Sequence, residues 1–134
     1  YVGGLMQHIQ ECIKVANANF PILVQPVDQE LVIAACITHD IGKIFEYNID
    51  EETGIIEISE EFKKKWINHI HYGFSWANSN GFYQLGRIIA AHHGRKDWGA
   101  LIDLSERDIE PVLYLMHHID DISAKYGAIN VESL

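Results

Sequence analysis

The sequence predicts an all-α fold, a bundle of about five main helices with a small β-hairpin inserted near residues 45–58. Three observations predict this fold. Apolar residues recur at spacings of three and four along most of the chain, which is typical of amphipathic helices. Glycines and prolines separate these segments. The exception lies at residues 45–48 and 55–58, two β-favouring runs joined by a turn-like segment, which together indicate the hairpin.

The first two helices are predicted from their apolar patterns. The first covers about residues 4–18, where one apolar stripe contains Leu5, Ile9, Cys12, Ile13 and Ala16. The second begins after Asp28, a preferred N-cap residue, and Gly42 is expected to end it. Because this second helix is apolar on most sides, we expect it to lie at the centre of the bundle.

Three more helices are predicted in the second half of the chain. A third helix covers roughly residues 60–79, and a fourth covers about 82–93 and ends at Gly94. A loop follows, and Ser105 with Asp108 resembles a capping box for the fifth helix. That helix tolerates Pro111 in its first turn and continues to about residue 125.

Bulk properties limit the class of protein. A length of 134 residues suits a single domain over residues 1–134, and because the chain lacks an initiator Met we expect a fragment with upstream residues missing. Two cysteines and no visible signal segment predict a reduced, cytoplasmic setting. The longest apolar run, residues 31–37, is too short to span a membrane. The net charge of −9 argues against a broad nucleic-acid-binding surface, although a local basic patch is not excluded.

Histidine is the unusual residue type, with eight copies. Candidate metal ligands occur at five places, 23 to 31 residues apart: His8, the His39-Asp40 pair, His69, His92 and Asp120. Each gap is about one helix plus its connection, so successive helices bring ligands to a shared interior. A free carboxylate after the apolar second helix would be costly to bury, so Asp40 favours a bound cation. Imidazole and carboxylate ligands suit iron, manganese, zinc or cobalt.

Short strings around these ligands carry a family resemblance. They are Gly-Gly-Leu-Met-Gln-His at residues 3–8, Thr-His-Asp-Ile-Gly-Lys at 38–43, His-Ile-His-Tyr-Gly at 69–73 and His-His-Gly at 92–94. Together with Asp120, they resemble the HD superfamily of metal-dependent phosphohydrolases, and most of all the HD domain of YhaM-type 3′-5′ exoribonucleases. The similarity runs from Gly3 to about Lys125, with Ala100 in place of an expected Ser and Ser123 in place of an expected Asp.

The resemblance implies a two-metal site. The first divalent ion would be held by His8, His39, Asp40 and Asp120. Asp40 would bridge to a second ion bound by His69 and His92, and the ions would be Mn, Fe, Zn, Co or Mg. Two such ions can activate water and hold phosphate oxygens for in-line attack. The implied activity is hydrolysis of a phosphodiester or phosphomonoester, in a nucleotide or at a nucleic-acid 3′ end.

The resemblance also implies partners and further site residues. The partner would be a phosphorylated small molecule or a single-stranded nucleic-acid end, with an upstream nucleic-acid-binding domain in the longer chain and no membrane. The expected catalytic residues are Asp40, Lys43, which would neutralise phosphate charge, and His93, which would protonate the leaving oxygen or replace His92 as a ligand. Candidate substrate contacts, besides Lys43, are Arg95, Lys96 and Trp98, although exposed loop charges and a pocket wall explain these residues equally well.

Four other residues have weaker expected roles. His117 shares a helix face with Asp120, so it is expected to hydrogen-bond a ligand. His71 and His118 are expected to be structural or surface residues, and Cys12 a core residue with at most a minor metal role.

Two alternative functions stay open. Some HD proteins use the same ligand set for oxygen chemistry, so a di-iron oxygenase is one alternative, and bound iron with oxygen uptake would distinguish it. The other is a non-catalytic HD signalling module. Such modules tend to lose metal ligands, whereas this chain keeps the full set.

Overall fold

A computed structural model describes residues 3–65 and 68–127, and within these ranges the chain is helical with one small hairpin. The helices are α1 (Gly4–Asn19), α2 (Gln29–Thr38), α3 (Lys43–Glu46), α4 (Glu60–Lys65), α5 (His69–Ser79), α6 (Tyr83–Ala91) and α7 (Pro111–Tyr126). Short 3-10 turns occur at Phe20–Ile22 and Lys96–Trp98, and the strands are β1 (Tyr47–Ile49) and β2 (Ile56–Ile58). The all-α prediction with its inserted hairpin is confirmed.

Helix α2 lies at the centre of the bundle, as its sequence predicts. It packs against α1, α6 and α7, while α5 packs against α6. Its residues Val32, Ala35 and Cys36 are fully buried, as are Leu113 and Met116 of α7. Burial of such apolar side chains is the main stabilising contribution to folding. Within the described part of the chain, no helix is long and apolar enough to cross a membrane.

The two ends of α2 fix the position of the candidate ligands His39 and Asp40. Asp28 is the N-cap, and its carboxylate accepts a hydrogen bond from the Leu31 N–H at 3.1 Å. The helix ends at Thr38, and the next turn carries His39 and Asp40. Gly42 does not end α2 through a left-handed conformation, because its φ is −63°. It is needed instead for a close backbone approach, since a Cβ there would lie 2.2 Å from the carbonyl oxygen of His69.

The prediction of one continuous helix over residues 60–79 is wrong. Helix α4 is described over Glu60–Lys65, residues 66–67 lie outside the described residues, and α5 begins at His69 after Asn68, whose backbone is extended (φ −128°, ψ −178°). Asn68 is the N-cap, and its side chain accepts hydrogen bonds from the N–H groups of Ile70 and His71. In return the Asn68 N–H donates to His71 Nδ1 at 3.2 Å, which completes a capping box. His71 therefore has the structural role expected, and His69 lies in the first turn of α5.

Two details of the last helices differ from expectation. Helix α6 ends at Ala91, two residues before the predicted end. The predicted capping box of Ser105 and Asp108 is wrong, because the hydroxyl and N–H of Ser105 both donate to Asp103, and Asp108 has a φ of 57°. Helix α7 begins at Pro111, which occupies its first turn as predicted. At Ser105, the hydrogen bonds to the Asp103 side chain form an Asx-type turn in place of the predicted helix start.

The hairpin begins directly after α3. Strand β1 pairs antiparallel with β2, with Tyr47 opposite Ile58 and Ile49 opposite Ile56. The connecting turn starts at Asp50, whose side chain accepts hydrogen bonds from the N–H groups of residues 52 and 53. Gly54 has a φ of 72°, a conformation that glycine adopts without strain.

Candidate metal centre

The six predicted metal ligands lie together at one end of the bundle. They come from α1 (His8), the turn after α2 (His39 and Asp40), the start of α5 (His69), the residue after α6 (His92) and α7 (Asp120). His39 and His92 are fully buried, and Asp40 is only 3% exposed. Residues separated by more than a hundred positions therefore place their polar atoms within one small volume.

Asp40 lies between two groups of histidines. Its Oδ2 is 3.3 Å from Nε2 of His39 and 3.7 Å from Nε2 of His8. Its Oδ1 is 3.4 Å from Nε2 of His69 and 3.3 Å from Nε2 of His92. Each carboxylate oxygen thus faces a different pair of imidazoles, which is the arrangement that a bridging ligand requires.

The first group gathers around Asp120. Its Oδ1 is 2.7 Å from Nε2 of His8 and 3.3 Å from Nε2 of His39. Cys12 is buried with its Sγ 3.7 Å from Nε2 of His8. These four side chains each offer a ligand atom, and the four atoms lie within 4.8 Å of one another. The position of Cys12 keeps a minor metal role open for its thiol.

The second group has side chains and unpaired atoms that could hold a cation. It contains Asp40, His69, His92 and His93, whose ligand atoms also lie within 4.8 Å of one another. In the described part of the chain, Oδ1 of Asp40, Nε2 of His69 and Nε2 of His92 are buried and have no hydrogen-bond partner. Buried polar atoms are almost always satisfied, so three orphaned acceptors that face one another fit a divalent ion.

Backbone and side-chain acceptors hold the histidines in one tautomer. Nδ1 of His39 donates to the Ala35 carbonyl at 3.0 Å, and Nδ1 of His92 donates to the Ile89 carbonyl at 2.6 Å. Nδ1 of His69 donates to a Glu46 carboxylate oxygen at 2.7 Å. With the proton on Nδ1 in each case, Nε2 carries the lone pair that a metal needs when the ring is neutral.

Glu46 is a site residue that the sequence analysis missed. It is buried, and its Oε2 accepts hydrogen bonds from both the backbone N–H and Nδ1 of His69. Its neighbours in sequence are exposed, so no periodicity marked it as buried. It lies where α3 meets β1, which links the orientation of His69 to the start of the hairpin.

A second missed contact supports His8. Nδ1 of His8 donates to Ser123 Oγ at 2.9 Å, and the Ser123 hydroxyl donates to Oε2 of Glu11 at 3.0 Å. The sequence contained a signal for this contact. Glu11 lies three residues after His8, and Ser123 lies three residues after Asp120, so each pair shares one helix face.

Burial and neighbouring charge set the protonation states. Burial opposes charge on His8 and His39, yet nearby Asp40 and Asp120 raise the pKa of His39 to about 10, and hydrogen bonds to Asp120 and Cys12 raise that of His8 to about 9. Burial would raise the pKa of Asp40, but the His39 charge holds it well below its usual value. Burial lowers the pKa of His69 to about 3. Asp40 is therefore ionised, and His69 is neutral, the form that binds a metal, whereas His8 and His39 have to release a proton when a cation binds.

Lys43 and His93 lie beside the candidate metal ligands. Nζ of Lys43 is 3.3 Å from Oδ2 of Asp40. The His93 ring lies 4.5 Å from that of His92 and 5.1 Å from that of His69, and its Nδ1 donates to the Trp98 carbonyl. Nε2 of His93 is then the nitrogen available to a ligand or a proton, so its two predicted roles both stay predictions.

The other predicted substrate contacts lie on the exposed 3-10 turn after His93. The Arg95 guanidinium lies 5.2 Å above the Trp98 ring, and Lys96 pairs with Glu106 at 3.1 Å. None of the three lines the cavity described below, and their substrate roles stay predictions.

The two histidines of α7 differ in position. His117 hydrogen-bonds a ligand residue, although through the backbone carbonyl of His92 at 2.8 Å and not through its ring. It also packs on Gly94, where a Cβ would lie 2.7 Å from its Cε1. His118 is exposed, as expected for a surface residue.

A cavity of about 720 Å³ opens beside the ligands. Its polar wall contains His8, Asp40, Lys43, His93 and Asp120. Its apolar lining contains Leu5, Ile44, Tyr47, Ile49 and Ile56. This volume lies within the range of small-molecule sites in proteins.

Glu46→Gln is expected to weaken the second metal position by about 10- to 100-fold, because a neutral amide orients and polarises the His69 imidazole less well than a carboxylate. The check is a metal titration followed by calorimetry. Glu57→Gln is the matched control, since it removes the same charge from an exposed position of the hairpin. Unchanged affinity in Glu46→Gln would show that Glu46 does not support the metal position.

Comparisons with known proteins agree with this geometry. A family model described as the HD domain matches residues 2–125. The chain is 25% identical over 142 aligned positions to the 3′-5′ exoribonuclease YhaM of Geobacillus sp. (strain WCH70), covering 97% of this chain and 40% of the relative. It is likewise 25% identical over 139 positions to the 3′-5′ exoribonuclease YhaM of Bacillus subtilis (strain 168), covering 97% and 41%.

The chain spans about two fifths of the length of these curated relatives. No solved structure matches it significantly. The resemblance inferred from the ligand strings is confirmed by the family match. Because that match extends over nearly the whole sequence, this chain belongs to the HD domain family.

Proposed function

We propose that this chain is a phosphohydrolase that uses a dinuclear His/Asp metal centre to hydrolyse a phosphodiester or phosphomonoester, in a nucleotide or at a nucleic-acid 3′ end. The observation that carries the proposal is Asp40, whose two oxygens face separate histidine pairs. One of these oxygens and two imidazole nitrogens are buried without a partner among the described residues. A structural core would not retain such atoms without a cation.

In this proposal His8, His39, Asp40 and Asp120 would hold the first ion, and Asp40, His69 and His92 would hold the second. Mn, Fe, Zn, Co and Mg are the candidate metals, since the donors are imidazole and carboxylate. Such ions, when bound, supply an activated water and Lewis-acid contacts to phosphate oxygens.

The chain's own residues would complete the site. Lys43 Nζ lines the cavity beside Asp40, from where it can hold a phosphate oxygen and neutralise its charge. Nε2 of His93 can transfer a proton to the leaving oxygen, since its Nδ1 is already bonded to the Trp98 carbonyl. Arg95, Lys96 and Trp98 would meet parts of a substrate that extend out of the cavity.

The names of the relatives support a proposal about partners. Two of them are named 3′-5′ exoribonucleases, which favours a single-stranded nucleic-acid end or a nucleotide as substrate. An upstream nucleic-acid-binding domain and a cytoplasmic location stay predictions.

The direct test is metal analysis of protein purified without chelator, combined with a screen of phosphoesters that includes short RNA. We expect about two divalent ions per chain and hydrolysis of at least one phosphoester. Iron with oxygen uptake and no hydrolysis would favour an oxygenase. Protein without metal or activity would favour a non-catalytic module.

His69→Ala is expected to remove about one metal equivalent and leave the other bound, because only the second group of ligands contains His69. Metal content by mass spectrometry checks this, together with thermal unfolding to show that the fold is intact. His118→Ala is the control, since His118 is an exposed histidine. Loss of both ions, or of neither, would contradict the two-metal assignment.

A further inference from the structure

The hairpin has one apolar face that is exposed. Alternate residues of a strand point to opposite sides, and paired residues share a side. The register therefore places Tyr47, Ile49, Ile56 and Ile58 on one face, named here the apolar hairpin face, and Asn48 with Glu57 on the other. The four apolar side chains are between 37% and 52% exposed. Contiguous exposed apolar surface of this kind commonly marks a binding site.

This face continues into the candidate metal centre. Tyr47, Ile49 and Ile56 line the same cavity as Asp40 and Asp120. Leu5 and Ile44 add apolar side chains to the lining of this cavity. A molecule with a phosphate at the metal centre would therefore place its organic group against the hairpin.

The charges around the cavity argue against a long polyanion. Among the described lining residues, Lys43 is the only lysine or arginine. The hairpin turn beyond the apolar face carries the exposed acidic residues Asp50, Glu51 and Glu52. A nucleic-acid chain needs lysine or arginine contacts to its successive phosphates. The hairpin turn offers negatively charged side chains instead.

We propose that the apolar hairpin face binds the organic group of a phosphate ester whose phosphate lies at the metal centre. The proposal rests on the phosphohydrolase function and names its substrate class. An apolar wall formed by Tyr47, Ile49 and Ile56 fits an aromatic ring system better than a flexible polar group. The substrate is then a small ester with one such group, as in a mononucleotide, and the hairpin determines specificity.

The test is the binding of two non-hydrolysable probes, phenylphosphonate and methylphosphonate, to the full chain loaded with Mn²⁺, measured by calorimetry. Both probes carry the same anionic head, so the difference reports the organic group alone. We expect phenylphosphonate to bind at least about tenfold more tightly. Ile49→Thr/Ile56→Thr should reduce its affinity by about tenfold and leave methylphosphonate unchanged. Threonine keeps the β-branched shape that favours a strand.

The matched control is Asn48→Thr/Glu57→Thr, which changes the adjacent pair on the opposite face and should keep the preference. The single variants Ile49→Thr and Ile56→Thr are measured as well. Their metal content and melting temperature distinguish a loss of contacts with the probe from a loss of the hairpin itself. Equal affinity for the two probes, or a preference that both double variants keep, would overturn the hairpin proposal while the phosphohydrolase function stands. A single-stranded oligonucleotide is compared with the mononucleotide of the same base, and tighter binding of the oligonucleotide would also overturn the hairpin proposal. Failure of both probes to bind, with no phosphoester hydrolysed, would refute the phosphohydrolase function itself.

Discussion

Asp40→Asn is expected to abolish metal binding and hydrolysis together. The substitution keeps the size of the side chain but replaces one carboxylate oxygen with an amide nitrogen, which is a donor without a lone pair for a metal. One of the two histidine pairs would then face that nitrogen, and the other a weaker neutral oxygen. Metal content should fall from about two equivalents to near zero, with loss of all detectable phosphoester hydrolysis.

Asp121→Asn is the matched control for this experiment. Asp121 follows the ligand Asp120 on α7, but its carboxylate pairs with Lys125 at 3.2 Å and not with the metal ligands. Metal content and activity should be unchanged in this variant. If Asp40→Asn retains its full metal content, the assignment of Asp40 as the bridging ligand is wrong.

Gly42→Ala is expected to lower the free energy of unfolding by about 3 kcal/mol, because overpacking against a fixed neighbour forces the backbone to move. The added Cβ would lie 2.2 Å from the carbonyl oxygen and 2.6 Å from the Cα of His69, and backbone atoms cannot rotate away. The turn that carries Asp40 would have to separate from the start of α5. The second metal position should weaken as well, since it needs Asp40 and His69 together.

Denaturant unfolding in the presence of a chelator measures this effect without a contribution from metal binding. Gly86→Ala is the control. In α6 a Cβ at Gly86 would lie 2.6 Å from Asn78 Oδ1, the end of a side chain that can move. Alanine also favours the helix by about 1 kcal/mol over glycine, so little net loss is expected. Equal stability losses in the two variants would show that the close approach at Gly42 has no special importance.

Periodicity and residue chemistry were enough to predict the helical class, the hairpin and the ligand set. The apolar stripe of α1 placed His8 next to the core, and the uniformly apolar α2 identified Asp40 as a costly carboxylate. These predictions depend on local spacing and on the cost of burying charge, and both quantities can be obtained from one chain segment at a time.

Two helix boundaries depended on local hydrogen bonds that the apolar pattern does not show. The break before His69 arises from reciprocal capping by Asn68 and His71, which competes with a continuous apolar pattern on either side. The predicted capping box at Ser105 is wrong for a similar reason, because the Ser105 hydroxyl donates a hydrogen bond to Asp103 and cannot cap α7. Single hydrogen bonds of this type do not change the spacing of apolar residues, although they decide where a helix starts.

The amino-acid sequence on its own determined the class of fold, the identity of the candidate ligands and the kind of cation that they suit. The packed structure added which oxygen of Asp40 faces which histidine pair, the contact of Glu46 with His69, and the apolar wall that the hairpin builds beside the ligands. The reason is physical: helix and strand formation follow from neighbouring residues, whereas orientation and access at a site depend on how segments far apart in the chain pack against one another.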